Sequence, residues 1–262
     1  EGALNDSTIY HVALAEKLAR TDINTPGEAD ITARFGSTFN WYFGTDGNTP
    51  TNQYDFITVV LHEIGHGLGF SSLDNHEGST ASVQPGSYNN FMVDSEGVSV
   101  YDIANNSAAL AAYLTSNDLS LNAPSAVAAN GGSNAEIYAP STYNGGSSIS
   151  HLGESFNGTA HALMTYSASP GESIHNPEAV TLGLFSDMGW ESAALIHNQD
   201  LIHNNLTDDI IISVELKSDL PLIEGSAIPT LHYSFDNFAT SEEASMTDAG
   251  SGLFTYGVSN PM

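Results

Sequence analysis

His62 and His66 stand four residues apart with Glu63 between them, in a run from Leu61 to Phe70 that reads LHEIGHGLGF. On an α-helix, residues four apart lie one above the other on the same face. The two imidazoles can therefore offer a nitrogen each to one metal ion. Glu63 adjoins the first of them, where its carboxylate can reach a water on that ion. Two neutral nitrogen ligands, an open position for water and a general base are the parts of a zinc hydrolase, which also needs a third protein ligand from elsewhere in the chain.

The elements that must position these groups can be read from the surrounding pattern. Residues 55–69 predict the helix that carries the motif, with Phe56, Val59, Val60, Ile64 and Leu68 as core candidates. Gly65, Gly67 and Gly69 cost its end about 1 kcal/mol each by propensity, and Gly69 reads as a C-terminal cap. Upstream, 6–20 reads as an amphipathic helix with Ile9, Val12, Ala13, Leu14 and Leu18 on its buried stripe, 29–35 alternates as a strand, and 40–43 is a short aromatic strand. Residues 73–148 are rich in Gly, Ser, Asn and Ala, with one short helix predicted at 107–114, which implies an insertion with its own packing. Asn176, Pro177 and Glu178 read as the start of a helix running through Leu182 and Phe185 to Gly189. From Asp209 the texture changes: 210–216, 230–235 and 253–256 read as strands of a small β-sandwich-like module. The expected division is a domain at 1–198, carrying the insertion, and a β-rich module at 199–262.

Composition bounds the partners. The 262 residues hold 31 acidic against 4 basic side chains, a net charge of −27. The basic ones are Lys17, Arg20, Arg34 and Lys217, so residues 35–216 carry no fixed positive charge. Binding to nucleic acid or to anionic lipid is disfavoured, because both need Lys and Arg. An acidic surface suits a saline or extracellular setting and offers carboxylates to calcium. Candidate loops are those at Asp46, at Asp94 with Glu96, and at Asp208 with Asp209, none with EF-hand spacing. Cysteine is absent, so any metal site uses His, Asp or Glu and no disulfide scaffold exists. A hydrophobic fraction of 40% supports a real core, and no apolar run approaches the roughly 20 residues of a membrane helix. The chain opens on Glu-Gly-Ala without Met or a charged-then-apolar leader, the expectation for a processed form.

For the third ligand, Asp74 and His76 follow the helix closely, and His151, in Ser150-His151-Leu152-Gly153-Glu154, is the better candidate. Ser72, three residues beyond Gly69, is a poor zinc ligand. After His151 come His161-Ala162-Leu163-Met164-Thr165-Tyr166 and Ser186-Asp187-Met188-Gly189-Trp190. That ordered set resembles the leishmanolysin-like branch of the metzincin zinc metalloproteases, in which an insertion delays the third His and a Leu-Met turn and an Asp-x-Gly-Trp segment follow. The resemblance spans residues 9–190 and departs from the family in lacking cysteine and in having Leu152 where an aromatic is frequent.

The resemblance implies a mixed α+β catalytic domain, a twisted sheet beside an active-site helix. It implies His62, His66 and His151 as zinc ligands, Glu63 as general base, and Met164 as the hydrophobic floor beneath the ligands. Tyr166, two beyond that Met, matches a position where some metzincins place a tyrosine to donate to the oxyanion. The activity implied is secreted or cell-surface endopeptidase cleavage of protein and peptide substrates. His11, His161, His175, His197, His203 and His232 lack partner spacing and read as surface or hydrogen-bonding residues. Asp187 and Trp190 read as structural. Two rival classes stand beside the protease: a non-catalytic surface or matrix-binding protein that keeps the fold, motivated by the acidic surface and the β-module, and a zinc hydrolase of non-peptide bonds. Oligomeric state is not readable.

Overall fold

Apolar spacing near the start of the chain is realised as α1 (Val12–Ala19), which buries Leu14 completely. It begins at Val12 because Ile9 is bridged to Gly86 and His11 is extended (ψ 146°), which leaves Ile9 and Val12 of the expected buried stripe exposed; it ends where Arg20 adopts left-handed backbone (φ 54°) and its amide closes on the Glu16 carbonyl. The computed structural model describes residues 7–190, 194–196, 210–217, 228–235, 240–250 and 252–259. The expected strand at 29–35 does not form. Its alternation finds no partner strand; Ile31 instead lies over Gly67, where a Cβ would meet its side chain at 2.5 Å. The aromatic strand does form, as β1 (Trp41–Tyr42), paired in parallel with β2 (Tyr54–Asp55). β2 runs directly into α2 (Phe56–Gly67), the helix of the motif.

Residues 73–148 are more regular than their composition suggests. They hold the hairpin β3 (Asp74–Glu77) and β4 (Thr80–Val83), then β5 (Met92–Asp94), α3 (Ala108–Leu114), β6 (Leu119–Leu121), α4 (Pro124–Ala129) and β7 (Ala135–Glu136). β5, β6 and β7 form a three-stranded antiparallel sheet. Ser107 caps α3 by accepting from the Leu110 amide, as Ser at that position should. The segment is no appendage: Tyr88, Met92, Leu110, Leu114, Leu119 and Leu121 are all at most 1% exposed and form much of the core. In place of one twisted sheet beside the helix, the described residues of this unit carry a two-stranded parallel pair, a hairpin and the three-stranded sheet.

The predicted C-terminal helix is α5 (Glu178–Phe185), followed by a wider turn at Ser186–Trp190. That turn stitches three elements. The Asp187 carboxylate accepts from the Ser125 amide at 2.8 Å at the start of α4, and the Trp190 indole donates to the Leu68 carbonyl at 2.7 Å at the end of α2. The Gly189 carbonyl accepts from Lys17 of α1.

Contacts divide the chain into units Glu1–Trp190 and Glu191–Met262, ahead of the division at 198/199 read from the sequence. The second unit holds a four-stranded antiparallel sheet, β12 (Thr247–Gly250), β13 (Leu253–Val258), β9 (Ile210–Lys217) and β8 (Ala194–Ile196) in that order, and the antiparallel pair β10 (Thr230–Tyr233) and β11 (Glu242–Ser245). The patterns at 210–216 and 253–256 lie within β9 and β13, and that at 230–235 forms a strand only as far as Tyr233. Among the described residues no helix is long and apolar enough to cross a membrane.

Candidate metal centre

The helix α2 presents its ligands where they are needed because both of its ends are capped, one by a side chain and the other by backbone bonds around a glycine. At the N-terminus, Asp55 accepts from the Thr58 amide at 2.7 Å, the N-cap bond that satisfies an otherwise orphaned donor. At the C-terminus, the Gly69 amide donates to the His66 carbonyl at 3.0 Å and the Phe70 amide to the Gly65 carbonyl at 3.1 Å. Those two bonds make a Schellman cap, and Gly69 takes the positive φ (113°) that side-chain-bearing residues avoid. Phe70, completely buried, then anchors the chain in the core.

Three imidazole Nε2 atoms converge beside this helix. His66 Nε2 lies 3.0 Å from His62 Nε2 and 3.1 Å from His151 Nε2, and the remaining pair is 3.3 Å apart. Each opposite ring nitrogen faces a backbone carbonyl: His62 Nδ1 meets Leu163 O at 2.7 Å, His66 Nδ1 meets Phe70 O at 2.7 Å, and His151 Nδ1 meets Ser147 O at 2.8 Å. A carbonyl only accepts, so each Nδ1 carries the ring proton and donates, which leaves a lone pair on every Nε2. Three lone pairs aimed at one point repel one another unless a cation sits among them. A tetrahedral zinc with arms of about 2.0–2.1 Å sets its ligand atoms about 3.3–3.4 Å apart, and the three separations fall at or slightly under that spacing. The carbonyl bonds are the outer partners that ligand imidazoles require for orientation. Burial, reinforced by the neighbouring rings, pushes His151 down to about 3 and lowers His66, so these two rings stay neutral. Among the described residues this is the one group of three or more His, Asp or Glu side chains placed to share an ion.

The segment at 162–166 supports the centre from below. Met164 is fully buried, and its thioether presses so closely on α2 that a Cβ at Gly65 would meet Sδ at 2.6 Å. Gly65 is thus required by close approach, whatever it costs the helix in propensity. The backbone of the same turn supplies the Leu163 carbonyl for His62, and the Met164 carbonyl accepts from Leu152 at 2.8 Å, next to His151. One short turn therefore touches the helix and the third ligand together.

Glu63 is exposed, makes no hydrogen bond among the described residues, and lines a cleft of about 160 Å³ together with His62 and Tyr166. The Tyr166 ring stacks on Tyr138 with centroids 4.1 Å apart, and its hydroxyl donates to Glu154 at 2.8 Å. That bond to a carboxylate pushes the phenol up to about 12. The other third-ligand candidates stand apart from the centre: Asp74 accepts from the Tyr143 hydroxyl at 2.7 Å, and His76 stacks on that same ring. At the candidate calcium loops, the carboxylates of Asp46 and Asp94 accept from backbone amides of their own turns; Asp208 and Asp209 lie outside the described residues, as do His197 and His203.

Sequence spacing missed a second polar cluster. Asp55 accepts from the Thr58 hydroxyl at 2.8 Å, His175 Nε2 at 2.8 Å and the Thr49 hydroxyl at 3.1 Å, besides the Thr58 amide. Burial pushes this carboxyl up, but the combined hydrogen bonds outweigh it and hold the group below its usual range. Because the folded-state carboxyl titrates below its unfolded value of about 3.9, its stabilisation is complete above about pH 4 and is lost as pH falls through the lowered value. Asp55→Ala is expected to destabilise the first unit by about 2–4 kcal/mol near neutral pH, a lost cap plus orphaned buried donors. Urea unfolding of wild type and variant should show that gap narrowing below about pH 4.

Comparison with known proteins covers part of this unit. The SPBPB7E8-like family profile matches residues 18–94, which include α2 with His62, Glu63 and His66 and end before His151. An uncharacterized protein of Schizosaccharomyces pombe is 36% identical over 63 residues, 24% of this chain and 11% of that relative. The match thus spans a small part of the longer relative. No solved structure matches the chain.

Proposed function

We propose that the chain is a zinc-dependent endopeptidase of the metzincin type, acting on proteins outside the cell or at its surface. The observation that carries this reading is the set of three Nε2 atoms 3.0–3.3 Å apart, each ring fixed at Nδ1 by a backbone carbonyl. Imidazole donors with one position left open suit zinc in a hydrolytic role. A zinc ion held by His62, His66 and His151 supplies Lewis acidity, lowering the pKa of water towards about 7 and polarising a carbonyl.

The chain's own groups do the rest. Glu63, whose side chain has no hydrogen-bond partner among the described residues, takes the proton of the attacking water and returns it to the departing amine. The Leu163, Phe70 and Ser147 carbonyls hold the rings in the tautomer that leaves Nε2 free. Tyr166 lies on the same cleft and donates to the developing oxyanion once its hydroxyl leaves Glu154. The acidic composition supports the extracellular setting.

Metal analysis of protein purified without chelator, combined with casein digestion, tests the reading. One zinc per chain is expected, with cleavage abolished by chelation and restored by added zinc. Stoichiometric zinc without cleavage of any unfolded protein would favour the non-catalytic binding protein, and absence of zinc would overturn the metal centre itself.

A further inference from the structure

The cleft beside the metal centre contains two carboxylates, Glu63 and Glu172, and no Lys or Arg. Glu63 already has a role in the proposed chemistry; Glu172 has none. It lines the same cleft from the segment that follows the Met164 turn, and its position is fixed from both sides. Ser169-Pro170-Gly171-Glu172 forms a β-turn in which the Glu172 amide donates to the Ser169 carbonyl at 3.2 Å. Pro at the second position and Gly171 at positive φ (85°) at the third are the residues this turn type calls for. The Gly171 amide donates to the Gln53 carbonyl at 2.9 Å, and the Ile174 amide donates to the Thr58 hydroxyl at 2.7 Å. The wall is thereby tied to the start of α2 on either side of Glu172.

The side chain itself is half-buried. Its Oε2 accepts from the Ser169 amide at 3.1 Å, while Oε1 has no partner among the described residues. Val59, Leu163 and Ile174 supply apolar walls to the same cleft. The cleft lining holds no Lys or Arg, and no ion pair to this carboxylate is formed among the described residues. A cleft lined by apolar side chains and a carboxylate without a cationic partner is matched by a side chain with a methylene stem and a cationic head.

We propose that Glu172 is a specificity-determining residue that selects Lys or Arg at one position beside the scissile bond. The inference rests on the endopeptidase reading, and it names the substrate class: proteins with basic segments. The net charge of −27 favours the same substrates at the encounter stage.

The test uses the zinc-loaded full chain and peptides identical except at one position beside the cut, carrying Lys, Arg, Leu or Glu. Wild type is expected to cleave the Lys and Arg peptides with kcat/KM about tenfold or more above the Glu peptide, the scale of a charge-assisted hydrogen bond in a partly screened site. Glu172→Gln, which keeps an acceptor for the Ser169 amide and so keeps the turn, should lose about tenfold on the basic peptides and leave the Leu peptide unchanged. Glu172→Lys should reverse the order of Lys and Glu. Equal rates on all four peptides, or a Glu172→Gln variant with the wild-type profile, would overturn the proposal while leaving the protease reading in place.

A second arm does not depend on turnover. A Lys peptide whose scissile amide is replaced by a reduced bond is titrated by fluorescence anisotropy against wild type and Glu172→Gln. About tenfold weaker binding by the variant supports the subsite even if no peptide is cut, and equal binding overturns it.

Discussion

Glu63→Gln is expected to lower casein cleavage by about 10²- to 10⁴-fold, the range over which a positioned base accelerates proton transfer, with zinc still bound at one per chain. Gln has nearly the shape of Glu but cannot take a proton. The substitution is clean in this fold because Glu63 is exposed and makes no hydrogen bond among the described residues, so folding stability should stay within about 0.5 kcal/mol of wild type. Measuring kcat/KM, metal content and the urea midpoint on one preparation separates a lost base from a lost metal or a lost fold. A variant that digests casein at the wild-type rate would remove Glu63 from the mechanism.

His151→Ala is expected to weaken zinc binding by about 10³-fold or more, since loss of a ligand costs more than the 10–100-fold typical of losing an outer partner. The sharper readout is the difference in stability between zinc-loaded and chelated protein. Wild type should gain about 3–4 kcal/mol from zinc present at 100 to 1,000 times its Kd. The variant should gain almost nothing at the same concentration. Without metal the gap is smaller: three lone pairs converge within 3.3 Å, so removing one ring relieves repulsion and offsets part of the cavity left by a residue only 4% exposed. If zinc stabilised His151→Ala as much as wild type, the third ligand would have to be sought elsewhere.

The parts of the centre that were legible in the sequence are those whose signal is local. His62, Glu63 and His66 share one helical turn, and Gly69 marks its end, so local pattern outlines α2; the cap at Asp55 emerges only in the structure. His151 has no local signature; only its order relative to Met164 and Trp190 points to it, and the structure sets its Nε2 within 3.1 Å of His66. The carbonyls of Leu163, Phe70 and Ser147 that orient the rings are invisible to sequence, because every residue has a carbonyl. The Asp55 cluster was missed for a related reason: Thr49 and His175 reach it from 6 and 120 residues away, and no spacing rule connects them. At the level of elements, the insertion reads as loop because its strands are only two to four residues long. Residues 29–35 read as a strand because alternation alone does not say whether a partner strand exists.

The sequence separation of 85 between His66 and His151 also bears on the order of assembly. A helix such as α2 relaxes in about 1 μs, whereas bringing His151 to it closes a long stretch of chain, a slower class of event. A nascent chain therefore offers a two-ring chelate long before the third ring is delivered, and full-strength metal capture marks the end of tertiary assembly rather than the formation of the helix that bears the motif.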